Sequence, residues 1–270
     1  MPYVAMSEAE YMRLYDVLDG HVDAAIGCFY TDVVLNGYAA DNRSVFAFLN
    51  RNAAFWNLHR YSLQSTCFMI LGRIFDTASD AHSIHALLAA TIQHPEFFSK
   101  EALRQRKISL VHGTPDWLED RVNEAWEPTT SELRSLKKAL APHRAKFQAL
   151  YAPIRNQVFG HSIVTDHLSV QALFANASIP DIEALLFFLR DLLSNLQDLF
   201  LNGHQPKLGL RTYGYRERIA DQVRRVLEDS GLTIIARCGN MILTKVSKDS
   251  ARPETLALNP PKRLLPPKFT

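Results

Sequence analysis

The chain has 270 residues, 47% of them hydrophobic and 21% charged, with a formal net charge of +2. That balance belongs to a globular protein able to bury a sizeable core, and it excludes collagen-like, disordered and disulfide-framed chains. No run of about eighteen apolar residues exists, and "MPYVAMSEAEYMRLYDVLDG" has no basic stretch leading into an apolar one, so a cytoplasmic protein without membrane span or signal peptide is expected.

Charge is unevenly spread. From Lys207 onward there are 13 Lys and Arg against 6 Asp and Glu, which leaves 17 against 22 for the first 206 residues. A basic C-terminal arm of this kind is either a solvated tail or a phosphate-contacting element. Cys28, Cys67 and Cys238 are odd in number and in no CxxC pair, which fits reduced core thiols.

In chain order, Ser7 and Glu10 form a capping box before "YMRLYDVLD", and a second helical stretch, "GHVDAAIGCFYTDVVLNGYAA", leads to Asp41. Asp41 is the expected cap of one very long helix from about Arg43 to Asp76. Its seam of Leu49, Trp56, Leu63 and Ile70, with Phe48, Phe55, Phe68 and Phe75 around it, predicts a central bundle helix. "AHSIHALLAATIQ" is a short helix ending before Pro95, followed by amphipathic pieces around "FFSKEALRQRKI" and "PDWLEDRVNEAW". The next helix spans roughly Ser131 to Tyr151 and meets a kink at Pro153.

Ser178 and Asp181 cap a helix whose Leu185, Leu189, Leu192, Leu196 and Leu199 alternate by four and three up to Gly203. This seam and that of Leu49 to Ile70 offer more apolar surface than one short bundle needs, which predicts a two-fold pairing of chains. "YRERIADQVRRVLED" reads as a helix stopping at Gly231, and "TIIARCGNMILTKV" as a β-hairpin turning at Gly239-Asn240. The organisation expected is therefore all-α: a helical domain over 1–206, a basic helix-hairpin appendage over 207–250, and a Pro-rich tail over 251–270.

The sequence holds no P-loop, GxGxxG, HExxH, GxSxG or paired CxxC, which excludes most common enzyme classes. His82 and His85, with Asp80 nearby, have the spacing of a metal pair but read more simply as a turn and helix cap. One segment stands out. "YAPIRNQVFGHS", residues 151–162, places Arg155, Asn156 and His161 together, yet residues six apart on a regular helix lie about 240° round from each other. "RKISLVH", Arg106 to His112, has the same spacing. Only the first adds a polar Asn after the Arg, apolar Val158 and Phe159 as anchors, and small Gly160 beside the His. Arg73 and Asp76 form an i,i+3 pair at the end of the long helix; a pairing within the helix is favoured, and a reach of Asp76 to Arg155 is the alternative.

An Arg, a polar residue and a following His on a kinked helix of an all-helical domain resembles the HEPN superfamily, in particular its abortive-infection AbiU-like branch. The resemblance includes "ILGRIFD" (Ile70 to Asp76) followed by "SIHALL" (Ser83 to Leu88) and covers about residues 40–200. Gly160 departs from it, since the family often carries Ala there. The resemblance implies a HEPN-like bundle and a metal-independent ribonuclease, or a catalytically silent relic that binds nucleotide, nucleic acid or a protein. It implies RNA as partner, a homodimer with the motifs facing one cleft, no cofactor, and room for a neutralising protein or antitoxin. His161 would then move protons, Arg155 hold the scissile phosphate, and Asn156 orient the phosphate or the His, with Arg73 and Asp76 in support.

Overall fold

A computed structural model describes residues 6–78, 80–111, 114–161 and 166–232, and among these every regular element is helical. The first helix, α1 (Glu8–Asp41), opens on the expected box: the Ser7 hydroxyl accepts from the Glu10 N–H and the Glu10 carboxylate accepts from the Ser7 N–H. It runs unbroken through Gly20. A helical glycine costs about 1 kcal/mol relative to alanine, and the buried stripe of Tyr11, Leu14, Leu18, Val22, Ile26 and Phe29 continues across it.

The very long helix expected after Asp41 is two. α2 (Arg43–Arg51) and α3 (Ala53–Ile74) are separated at Asn52, whose backbone leaves helical geometry at φ −125°, ψ 48°. The residue between α1 and α2 is Asn42, extended at φ −127°, ψ 110°, so Asp41 ends a helix rather than capping one. The central helix is accordingly α1, packed by α3, α10, α11 and α4. α3 buries Cys67, Phe68, Ile70, Leu71 and Ile74 in its C-terminal half, while Phe46, Phe55 and Leu58 remain exposed by 56%, 62% and 52%.

Downstream come α4 (Ile84–Gln93), capped by Ser83, then α5 (Lys100–Val111), α6 (Leu118–Glu124) and α7 (Thr130–Lys146), which starts on a Thr129/Glu132 capping box. α8 (Ala152–Ile154) and α9 (His167–Ala175) are short, and α10 (Ile179–Asn202) follows. Ser178 caps α10, and its five seam leucines are at most 1% exposed inside this one chain. The α10 seam is therefore spent on the chain's own core and offers nothing to a second copy. Gly203 ends α10 at φ +66°, where a side chain would also stand 2.5 Å from the Ala125 Cβ.

The arm is tied down as far as it is described. The Lys207 and Gly209 N–H groups donate to buried Asn195 and Asp191 on α10. α11 (Tyr215–Asp229) then lies along α1, with Ala220 and Leu227 packed on Val34, Leu35 and Tyr38, and the Tyr38 hydroxyl on the Ala220 carbonyl. Arg216 pairs with Glu183, and Arg224 with Asp221 and Glu228, so these cations are engaged within the chain. The expected hairpin at Gly239-Asn240 and the tail over 251–270 lie outside the described residues. Among those described, no single helix is long and apolar enough to cross a membrane.

Candidate functional site

Pro153 shapes the segment 147–161. Having no N–H, it cannot close the regular bond one turn back, and its ring crowds the preceding carbonyl. The chain answers by widening. Phe147–Tyr151 is a π turn, closed by the Ala152 N–H on the Phe147 carbonyl, and α8 links it to a second π turn at Arg155–Gly160. The His161 N–H closes that turn on the Asn156 carbonyl at 3.0 Å. Single π turns recur at functional sites because they redirect side chains without ending the helix. Where a kink was expected at Pro153, the structure shows wider winding with helical backbone carried through. This also accounts for Gly160: a Cβ there would lie 3.0 Å from the Arg155 carbonyl oxygen.

Apolar contacts hold the segment in place. Tyr151 and Ile154 are fully buried. Phe159 stacks on Phe68 with ring centres 5.5 Å apart and also meets Tyr61 at 5.6 Å and Phe174 at 6.2 Å. The π segment is thereby fastened to α3 and α9.

Arg155 reaches across α3 at Gly72, so closely that a Cβ on Gly72 would stand 2.8 Å from its Nε. Its Nη1 donates to Asn156 Oδ1 at 2.7 Å, and its Nε is buried without a partner. Asn156 thus orients the Arg, where the resemblance had it orienting the phosphate or the His. Arg60, Arg104, Arg106, Arg190, Arg216 and Arg224 each have a carboxylate partner, whereas part-buried Arg121 meets the His204 ring instead. Arg155 has no carboxylate within ion-pair distance among the described residues.

His161 ends the second π turn at φ −118°, ψ −4° with its side chain exposed. Winding with i→i+5 bonds stacks Gly160 over Arg155 and leaves His161 one step further round. No hydrogen bond joins the two side chains. Arg73 and Asp76 do not form the expected ion pair either. Asp76 turns its Oδ1 to the Ala78 N–H at 2.9 Å, capping the turn after α3, and is bonded to neither Arg73 nor Arg155. Exposed Arg73 instead adds its charge to that of His82 around His21, whose pKa is lowered by burial first and by those two neighbours after it.

The competing motif is structural at its Arg. Arg106 donates Nη2 to the Phe200 carbonyl at 2.8 Å, pairs Nη1 with Glu8 at 2.9 Å, and lies 3.9 Å over the Phe200 ring. His112 lies outside the described residues. His82 is exposed before the Ser83 cap, and His85 packs edge-on against Phe75. Among the described residues no three His, Cys, Asp or Glu side chains gather into a metal-binding group. Burial lowers the pKa of His85, and the charges of Arg144 and Lys137 lower it further.

A cleft of about 670 Å³ opens elsewhere, between the ends of α6 and α10, lined by Trp126, Asp198, His204 and Arg211 among others. Within it Asp198 holds both His204 and Arg211. None of Arg155, Asn156, His161, Arg73 or Asp76 lines it. The residue that sequence reasoning missed is Gly72. A glycine inside the apolar run "ILGRIFD" is a costly choice for a helix, and the sequence alone does not separate it from the open glycines of α1.

A family model described as AbiU2, of the HEPN class, matches residues 7–223. The match begins at the Ser7 cap, includes all of the π segment and runs into α11, which is wider than the 40–200 expected from the motifs. No curated protein and no solved structure matches the chain significantly.

Proposed function

Because this chain belongs to the AbiU2 family of HEPN domains, we propose that it is a metal-independent endoribonuclease of a defence or toxin-antitoxin system. The observation that carries the reading is Arg155: a part-buried guanidinium without an acidic partner, held by Asn156 and a slot on α3. A part-buried charge without a partner carries a desolvation cost that an incoming anion would offset. A phosphodiester supplies that anion, and the guanidinium fork suits its oxygens.

RNA brings its own nucleophile. The 2′-hydroxyl gives up its proton and bonds to the adjacent phosphorus, the P–O5′ bond breaks, and the leaving 5′-oxygen takes a proton. His161, whose side chain is exposed, is the proton-transfer group, a role worth about 10²–10⁴-fold in rate. Arg155 stabilises the charge on the phosphorane. With Arg155 and His161 apart in one chain, a homodimer sharing one cleft supports the chemistry best.

The test is cleavage of labelled RNA in excess EDTA. The parent should release 2′,3′-cyclic phosphate ends, Arg155→Ala and His161→Ala should each lose about 10²-fold or more, and Arg106→Ala should stay active once folded. Mixing Arg155→Ala with His161→Ala chains should restore part of the rate if the cleft is shared. Mutants as active as the parent would overturn the site. Saturable RNA binding without any cleavage would instead leave a silent nucleic-acid-binding HEPN protein.

A further inference from the structure

We propose that Gly72 is a positioning residue of the site: its missing side chain is the slot on α3 that lets the Arg155 side chain cross the helix and present its guanidinium. This rests on the ribonuclease reading for its catalytic consequence, though not for its geometry. A Cβ on Gly72 would lie 2.8 Å from Arg155 Nε and 3.3 Å from both Cδ and Cγ, and the three nearest atoms all belong to that one side chain. Real Cβ atoms essentially never approach another atom as closely as the first of these distances.

The backbone gives no other reason for the glycine. Gly72 lies inside the 22-residue α3, two residues before its end, and is not among the glycines with positive φ. Glycine is the poorest helix former after proline, and alanine the best. The helical glycines of α1 meet nothing within 4 Å, so glycine in a helix of this chain does not by itself mark a close contact. At position 72 it does, and the contact is with Arg155, which has no carboxylate partner among the described residues.

The crossing also explains the state of the guanidinium. Nε is buried against α3 and has no hydrogen-bond partner, while Nη1 is fixed by Asn156. The fork is therefore held from two sides, sterically at Gly72 and by a hydrogen bond at Asn156. That leaves Nη2 for an anion. A methyl group at 72 would meet the middle of a flexible side chain, so the arginine would yield rather than the helix. The fold should survive and the aim of the guanidinium should not.

This gives the substitution Gly72→Ala an uncommon signature. The urea midpoint should be unchanged or raised, because alanine favours the helix, while cleavage should fall by about tenfold or more, mainly in kcat, as expected for a misplaced catalytic group. Gly72→Leu should fall further in activity. Two readouts do not depend on cleavage. The Nε–H signal of Arg155 in ¹⁵N NMR, assigned by its loss in Arg155→Lys, should exchange slowly in the parent and fast in Gly72→Ala. And Gly72→Ala should add nothing to the weakening of RNA binding already caused by Arg155→Ala, since one acts through the other.

Gly72→Ala with parental kcat and an unmoved Nε–H signal would overturn the positioning role. So would a lowered urea midpoint with activity lost only in proportion to unfolded protein, which would make Gly72 a packing residue. If Arg155→Ala leaves cleavage untouched while the Nε–H signal still responds to Gly72→Ala, the slot stands and the ribonuclease reading of Arg155 falls.

Discussion

Phe159→Ala tests whether the π segment works because it is clamped. The Phe159 ring stacks on Phe68 and meets Tyr61 and Phe174, and it is half-buried. A fully buried Phe→Ala costs about 3–5 kcal/mol, and the part-exposed Phe159 ring falls below that range, at about 2 kcal/mol. A domain of this kind has about 5–15 kcal/mol of stability, so even at the low end about 3 kcal/mol would remain and more than about 99% of molecules would stay folded. Unfolding therefore explains almost none of any loss in activity. If the clamp places Arg155 and His161, cleavage per folded molecule should drop by about tenfold or more, since displacements near 1 Å can cost as much as a hundredfold. Urea unfolding followed by circular dichroism supplies the stability change, and RNA cleavage at equal folded concentration supplies the rate. Leu133→Ala is the control: Leu133 is fully buried on α7, and its loss should cost about 3 kcal/mol without lowering cleavage per folded molecule. A stability loss near 2 kcal/mol with activity within about twofold of the parent would refute the clamp.

Two other perturbations address the frame. Buried Asp32 accepts from Arg60 Nε and Gln64 Nε2, each at 2.9 Å, and ties α1 to α3; Asp32→Ala should cost about 3 kcal/mol in urea unfolding, at the lower end for a broken buried pair because Arg60 can turn to water. His143 stacks on Phe188 at 3.8 Å, and its pKa is lowered from 6.5, first by burial and then by Lys146. The fold therefore favours the neutral ring, so this contribution is complete above the unfolded pKa and is lost as pH falls below it. The urea midpoint of the parent should decline below about pH 6.5 relative to that of His143→Phe, which keeps the stack without the proton. Parallel pH profiles for the two proteins would remove His143 from the acid sensitivity.

Local chemistry was legible in the sequence wherever one residue decides the outcome. The Ser7/Glu10 box and the Ser178 cap are set by side chains within a turn of the backbone they cap, and the stop of α11 by Gly231 at φ +80°. The break in the helix expected from Arg43 is invisible in the pattern because its heptad runs straight through Asn52. Periodicity records which face is apolar, and it is blind to one residue leaving helical geometry. The π turns were hidden for a related reason. Pro153 announces a disturbance, but whether the chain breaks or widens depends on Tyr151 and Ile154 being buried, and Phe159 being packed, by helices far away in sequence. The same holds for Arg73 and Asp76: their i,i+3 spacing permits a pair, and the Ala78 N–H, unbonded at a helix end, competes successfully for the carboxylate.

The geometry of Arg155 and His161 places a firm demand on any mechanism. A straight helix would have set them on different faces, and the π winding stacks Gly160 rather than His161 over Arg155. The guanidinium is consequently seated against α3 while the imidazole stands in solvent, and one chain supplies anion binding and proton transfer at separate points. A bound RNA strand must span them, or a second chain must bring its own pair alongside. The α10 leucines constrain the second case. Since they are consumed inside the chain, a two-fold mate cannot be recruited by that seam and must approach through other surface. Fold stability and pairing are then separate properties of this protein, so a variant can lose the shared cleft while its own core remains intact.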